Sequence, residues 1–273
     1  MELRQLAARE QLVKTVVRSG NGGAVWVPKS WLGQEVVIIL PEKPRLGLKG
    51  RIVHLLEPYL KDVISVGIYG SYARNEQEKD SDIDVLVVTK EKRMKIKEGN
   101  VEITSLPIDK LKSTIQKYPT MYYQMVQEAV PLINASVLED LKSIKVKKEN
   151  FMPYLRETRE HSKSNREFLE LDKLDGPYLT SYSVMYSAML RLRGLFIMRC
   201  LLEKGRFSNR NFKSWLKAKG VSLHEYKCCY HAYRLMRDGR DAKSLKISVE
   251  TAEKLLTILH NELNSLETQV NGQ

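Results

Sequence analysis

The stretch GSYARNEQEKDSDIDVLVV, residues 70–88, places a Gly-Ser pair ten residues before an Asp-Ile-Asp triplet. Alternation along a strand would send the carboxylates of Asp82 and Asp84 to one face and Ile83 to the other. Two neighbouring carboxylates repel each other and raise one pKa unless a cation lies between them. Oxygen ligands of this kind suit Mg²⁺ (or Mn²⁺), which takes one or two carboxylates together with substrate phosphates. The triplet is therefore a candidate metal site.

Upstream of the triplet, the sequence offers groups that could bind a phosphate. Gly70 ends an apolar run and lets the backbone come close to a ligand, and Ser71 opens a predicted helix. Free N–H groups and the helix dipole favour an anion at such a position. Arg74, one turn further on, could add a charge-assisted hydrogen bond to the same anion. A phosphate site beside an acidic pair predicts phosphoryl or nucleotidyl transfer.

Nucleotidyl transfer that uses two metal ions commonly needs a third carboxylate. Glu102 is the candidate we choose, because it lies in the next predicted strand, VEITS, between the apolar Val101 and Ile103. Asp109 is the alternative. Its position after Pro107 and before the helical sequence KLKSTIQKY predicts an N-cap instead.

Gly-Ser, ten residues, Asp-x-Asp and then a lone acid on the following strand resemble the motif of the DNA polymerase β superfamily. The string is most similar to the minimal nucleotidyltransferases of prokaryotes, over residues 50–134. The resemblance implies ATP or another NTP as donor, Mg²⁺, catalytic and metal-binding carboxylates at Asp82, Asp84 and Glu102, and nucleotide binding by Gly70, Ser71 and Arg74. The family usually has Asp where this chain has Glu102. The expected reaction transfers NMP, with AMP favoured, to a hydroxyl of a protein, an RNA 3′ end or a small molecule.

The elements that must position these residues form a predicted α/β domain with a mixed sheet. Residues 48–60 have helical spacing of apolar residues, and VISVGIYG, IDVLVVT and NVEITSL read as strands rich in β-branched residues. A helix follows Asp109, and the α/β pattern ends near Asn134. From Glu149 onward the periodicity predicts helices at 149–171, 178–204, 209–219, 223–238 and 248–267, with 178–202 as the central helix of a bundle.

Residues 13–40 precede this domain and read as short strands, Val13–Val17, AVWVP and EVVIIL, around the turn cluster SGNGG. They resemble the small swapped-hairpin modules of the AbrB/SpoVT type, especially archaeal versions, which implies a homodimer and DNA contact. An alternative function follows: a DNA-binding regulator in which the transferase domain is a nucleotide sensor or a relic. The predicted chain is thus an α+β multidomain protein with a β-rich module (1–44), a nucleotidyltransferase domain (45–145) and an all-α bundle (146–273).

The net charge of +12 is concentrated in the third segment, with +2 for residues 1–44, +2 for 45–145 and +8 for 146–273. A basic bundle favours a polyanionic partner such as a nucleic acid or an acidic protein. The resemblance to the polymerase β superfamily implies that the bundle is either substrate-binding or of the HEPN type. The formal match to a HEPN ribonuclease motif, Arg156 and His161, lies in the first helix rather than late in the bundle, so we do not predict a ribonuclease site.

Composition is that of a globular protein, with 42% hydrophobic and 29% charged residues. The first ten residues, MELRQLAARE, lack the apolar stretch of a signal peptide, and no apolar run is long enough to span a membrane. Three cysteines, Cys200, Cys228 and Cys229, form no metal-binding spacing or even-numbered disulfide framework. We therefore expect a cytoplasmic protein without membrane contact.

Overall fold

The computed structural model describes residues 14, 16–36, 38, 47–79, 81–242 and 244–272. Contacts between Cα atoms divide the chain into two units, Met1–Leu46 and Gly47–Gln273. The predicted α+β class is confirmed, with a small hairpin, a mixed sheet and a helical region in this order. The boundaries predicted after residues 44 and 145 stay predictions.

The first unit contains a hairpin of β1 (Val17–Ser19) and β2 (Gly22–Ala24), paired antiparallel across Gly20. The strands predicted here were too long, because Trp26 and Val27 have no strand pairing and Lys29–Trp31 form a short 3₁₀ turn. Alternation of apolar and polar residues predicts the two faces of a strand, but it does not show whether a partner strand exists. Pro28 also lacks the backbone N–H that a hydrogen bond to a neighbouring strand needs. Val13, Thr15, Val37 and residues 39–40 of the predicted strands lie outside the described residues. The homodimer stays a prediction.

The second unit begins with a five-stranded mixed sheet and its helices. The sheet order is β5-β6-β4-β3-β7, in which only the β4–β6 pair is parallel. In chain order the elements are α1 (Leu48–Leu56), β3 (Val63–Tyr69), α2 (Gly70–Ala73), β4 (Ile83–Thr89), β5 (Lys95–Glu98), β6 (Val101–Pro107), α3 (Ile108–Lys117), α4 (Gln124–Glu128), β7 (Val130–Ile133) and α5 (Ala135–Lys142).

The central strand β4 is buried on both faces. Ile83, Val85 and Val87 pack on one face with Ile52 and Leu56 of α1. The other face carries Leu86 and Val88, which pack against the helices α3, α4 and α5. Since alternate residues of a strand point the same way, Asp84 belongs to this second face. The sheet therefore places its predicted carboxylate on the side that α4 covers.

The remaining chain is helical, as the 3.6-residue periodicity predicted. The helices are α6 (Met152–Asp175), α7 (Tyr182–Leu202), α8 (Asn209–Ala218), α9 (Leu223–Arg237) and α10 (Val249–Asn271). Apolar residues of all five form one core, and α7 is buried around most of its circumference, as expected for a central helix. Ser208, Ser222 and Ser248 cap the N-termini of α8, α9 and α10 with their hydroxyls.

No helix in the described residues combines the length and apolar character needed to cross a membrane.

Candidate active site

The sheet register brings three predicted site residues to one edge. Asp84 lies opposite Tyr69, the last residue of β3, and opposite Glu102 near the start of β6. Asp82 precedes β4 by one residue, and its side chain is exposed, as is that of Glu102. Asp84 is partly buried between them. The parallel register of β4 and β6 therefore places Asp84 and Glu102 side by side on neighbouring strands.

Carboxylates surround Asp84 with little compensation. Burial and, to a smaller extent, the negative charges of Glu102, Asp82 and Glu128 raise the pKa of Asp84 from 3.8 to about 6, while Arg74 opposes them. Burial likewise raises the pKa of Tyr69, whose hydroxyl lies 3.1 Å from that of Thr104. The site holds an excess of negative charge at neutral pH, which a bound cation would relieve.

This charge excess predicts a pH-dependent stability for the metal-free protein. Because the folded pKa of Asp84 lies above its unfolded value, the folded state gives up stability as pH rises from about 4 to 6. Asp84→Asn removes that loss, so the variant should be more stable than the wild-type chain at pH 7.5 by on the order of 1–2 kcal/mol. Below pH 4 the difference should disappear. Urea unfolding in the presence of a chelator measures both; parallel stability curves across this pH range would refute the burial of an uncompensated charge.

Gly70 forms the turn between β3 and α2 and has a positive φ of 73°. A Cβ added there would lie 2.0 Å from Oδ2 of Asp84. The turn thus requires glycine for two reasons, since L-residues rarely adopt this φ and the Asp84 carboxylate occupies the space of a side chain. The Gly70 backbone N–H donates a hydrogen bond of 2.9 Å to Oε1 of Glu128. Ser71 follows within α2 and is partly buried.

Arg74 ends this turn, and two carboxylates bind its guanidinium. One nitrogen donates to Oε2 of Glu128 at 2.6 Å, and Nε donates to Oε2 of Glu76 at 3.0 Å. Burial lowers the pKa of Arg74, but the Glu128 and Glu76 carboxylates outweigh burial and raise it above its usual value. Glu76 in turn accepts hydrogen bonds from the backbone N–H groups of Asn209 and Arg210, at the start of α8. The site turn is therefore connected to the helical bundle through Arg74 and Glu76.

Sequence reasoning missed Glu128, which contacts two of the predicted nucleotide-binding residues. It is the last residue of α4 and also accepts a hydrogen bond of 3.1 Å from the side chain of Gln124. One signal could have pointed to it: a carboxylate in the last turn of a helix faces the negative end of the helix dipole. Such a residue needs a compensating partner, and here Arg74 supplies the charge.

Asp109 does not cap α3, contrary to our expectation. The helix begins at Ile108 with Pro107 in the N-cap position, and Asp109 lies exposed in the first turn. Pro107 has an extended ψ of 142°, which ends β6 and starts the helix directly. Asp109 also lies just beyond the last residue of β6, whereas Glu102 lies near the start of this strand. Of the two candidates, only Glu102 therefore lies beside Asp84.

The donor set fits a hard divalent cation that also binds substrate. The described residues include no group of three or more His, Cys, Asp or Glu side chains arranged to hold a metal ion. Asp84, with Asp82 or Glu102, instead offers the one or two carboxylates that Mg²⁺ takes when phosphates and water complete its coordination. The pKa of Asp84 is raised first by its burial and then by the neighbouring carboxylates, and a cation bound at these oxygens would favour its ionised form.

Comparison with known proteins gives one family match and similar solved structures. Residues 52–168, from α1 into α6, match the family model described as a nucleotidyltransferase domain. A nucleotidyltransferase-like protein from Exiguobacterium sibiricum is similar with 12% identity and a TM-score of 0.36, over 82% of this chain and 78% of that one. Spectinomycin adenyltransferase AAD(9) from Enterococcus faecialis, solved with ATP and spectinomycin, is similar with 13% identity and a TM-score of 0.42, over 78% of this chain and 97% of that one. A search of curated proteins gives no match.

Residues 52–168 are therefore similar to a nucleotidyltransferase domain, and the polymerase β type predicted from the motif stays a prediction. The matched segment continues past residue 145, where we predicted that the domain ends, and includes the first two thirds or so of α6. The AbrB/SpoVT-like and HEPN-like assignments of the flanking segments stay predictions.

Proposed function

We propose that this protein transfers a nucleoside monophosphate, AMP in the first place, from an NTP to a hydroxyl group of an acceptor. The main observation behind this proposal is the strand register, which pairs Asp84 of β4 with Glu102 of β6. Gly70, where the chain turns after β3, lies next to the Asp84 carboxylate. Oxygen ligands next to a turn that can approach a phosphate are what nucleotidyl transfer requires. The match of residues 52–168 to a nucleotidyltransferase domain supports the same reaction class.

Asp82, Asp84 and Glu102 would hold Mg²⁺ or Mn²⁺ together with phosphate oxygens of the NTP. When bound, the metal polarises the α-phosphate and lowers the pKa of the attacking hydroxyl. Burial and neighbouring carboxylates raise the pKa of Asp84, so at mildly acidic pH this carboxyl would have to release a proton to hold a cation.

The protein's own groups then orient the two substrates. Gly70 and Ser71 would approach the triphosphate with the backbone of the turn, and Arg74 would contribute positive charge at its end. Glu102, which is exposed at the edge, would accept the proton of the acceptor hydroxyl. The acceptor oxygen bonds to the α-phosphorus, the bond from that phosphorus to the bridging oxygen breaks, and pyrophosphate leaves.

The acceptor is proposed to bind on the basic bundle as a protein, an RNA or a small molecule. Arg210 at the start of α8 is exposed, and its backbone N–H contacts Glu76, which also binds Arg74. Residues 146–273 carry a net charge of +8. This charge favours an acceptor with negative groups, whose binding salt should weaken.

Transfer of label from two forms of ATP tests the reaction class. The purified protein is incubated with Mg²⁺ and either α-labelled or γ-labelled ATP, with its own chain, a cell lysate and total RNA as acceptors. We expect label from the α-position on an acceptor and label from the γ-position only in pyrophosphate. Retention of the γ-label on an acceptor would indicate phosphoryl transfer, and no transfer from either form would contradict the proposal.

A further inference from the structure

Arg193 of α7 is a partly buried arginine whose charge is not neutralised. Its guanidinium carbon lies 5.1 Å from the centre of the Phe207 ring. Across the described residues, it forms neither a hydrogen bond nor an ion pair with a protein group. Among the described residues, its nitrogens are not counted with the fully buried polar atoms that lack a partner, so they remain accessible to solvent. The five donors of this guanidinium are therefore available to a ligand.

The acidic groups around Arg193 are already engaged by other arginines. Glu76 binds Arg74 and the start of α8, and Glu78 pairs with Arg234 of α9. Both glutamates and Arg193 act electrostatically on Tyr226, so they occupy one neighbourhood. Of the three partly buried arginines there, Arg193 alone lacks a carboxylate partner in the part of the chain that the structure describes. The neighbourhood thus has a partly buried cation available for an anionic ligand.

Phe207 connects Arg193 to the site turn. The guanidinium carbon of Arg74 lies 5.2 Å from the centre of the same ring, so both arginines contact this side chain. Arg74 in turn binds Glu128, which accepts the hydrogen bond from the Gly70 N–H. Arg193 therefore lies one aromatic ring away from the residues that turn the chain beside Asp84.

We propose that Arg193 binds the β- and γ-phosphates of the NTP, an inference that rests on the proposed function. An NTP whose α-phosphate lies at the carboxylate edge needs positive charge for its outer phosphates. The guanidinium of Arg74 is held by Glu128 and Glu76, so contact with phosphate requires it to exchange a partner. Arg193 requires no such exchange, and its planar fork suits phosphate oxygens.

Calorimetry with ATP and AMP, in Mg²⁺ and with the full chain, tests this assignment. Charge-assisted hydrogen bonds contribute about 1.5–3 kcal/mol each, so Arg193→Gln should weaken ATP binding about 10- to 100-fold. AMP lacks the outer phosphates, so its affinity should change less than about twofold. Arg193→Lys keeps the charge but loses the fork, and its ATP affinity should fall between the two. Arg166→Gln, an exposed arginine of α6, is the matched control and should bind both nucleotides like the wild-type chain.

The outcomes separate this inference from the proposed function. If the wild-type chain binds neither nucleotide, the proposed function is wrong. Should it bind ATP while Arg193→Gln binds ATP equally well, only the assignment of Arg193 is wrong. Equal losses for ATP and AMP would also overturn the assignment, because they place Arg193 away from the outer phosphates. If Arg193→Gln does not fold, Arg193→Lys decides: unchanged ATP affinity refutes the assignment, and selective loss for ATP supports it.

Discussion

Asp84→Asn is expected to lower the rate of label transfer from α-labelled ATP about a thousandfold while the protein stays folded. Loss of a metal-ligating carboxylate removes several kcal/mol of transition-state stabilisation, and about 4 kcal/mol corresponds to this factor. The substitution keeps the shape of the side chain, and it removes a carboxylate that Glu102, Asp82 and Glu128 repel. A folding defect is therefore not expected. Single-turnover transfer assays and thermal unfolding of the same samples measure the two effects separately.

Asp109→Asn is the matched control for this substitution. It makes the same chemical change at Asp109, the alternative to Glu102 in the sequence analysis. Asp109 lies beyond the far end of β6, in an exposed first turn of α3. Transfer by Asp109→Asn should equal that of the wild-type chain. Wild-type transfer by Asp84→Asn would reject the metal-ligand assignment, and equal losses in both variants would show that the register does not define the site.

The local pattern of the sequence was sufficient to predict the strand that carries Asp84 and the turn at Gly70. Asp82 precedes β4 by one residue, so the common face expected for Asp82 and Asp84 stays a prediction, as do their roles. Gly70 directly follows a strand of β-branched residues, where a glycine indicates an unusual backbone conformation. The five bundle helices were predicted for the same reason, because helical periodicity depends on residues only three or four positions apart.

Contacts between distant residues could not be predicted in this way. Glu128 reaches Gly70 across 58 positions, and Glu76 reaches Asn209 across 133. Neither glutamate belongs to a local motif, and both contacts exist only because α4 and α8 pack beside the site turn. The alternation of apolar and polar residues also predicted longer strands in the first unit than the structure has. Trp26 and Val27 have strand-like spacing but no partner strand among the described residues. Pairing is a tertiary property, and the pattern of one segment does not contain it.

Gly70→Ala is the second change with a large expected effect, because it acts on both the turn and the carboxylate. A Cβ at residue 70 would meet Oδ2 of Asp84 at 2.0 Å, so either the turn or Asp84 must move. Gly239→Ala is the matched control: Gly239 has a φ of 69°, almost that of Gly70, but nothing lies within 4 Å of its added Cβ. Strain at a positive φ should lower the stability of both variants by about 1–2 kcal/mol. Only Gly70→Ala should also lose transfer activity, by at least about a hundredfold, since a 1 Å displacement in an active site costs about that much. Denaturant unfolding and label transfer, measured on both variants, test the difference; equal activities would mean that the approach of Gly70 to Asp84 has no part in the reaction.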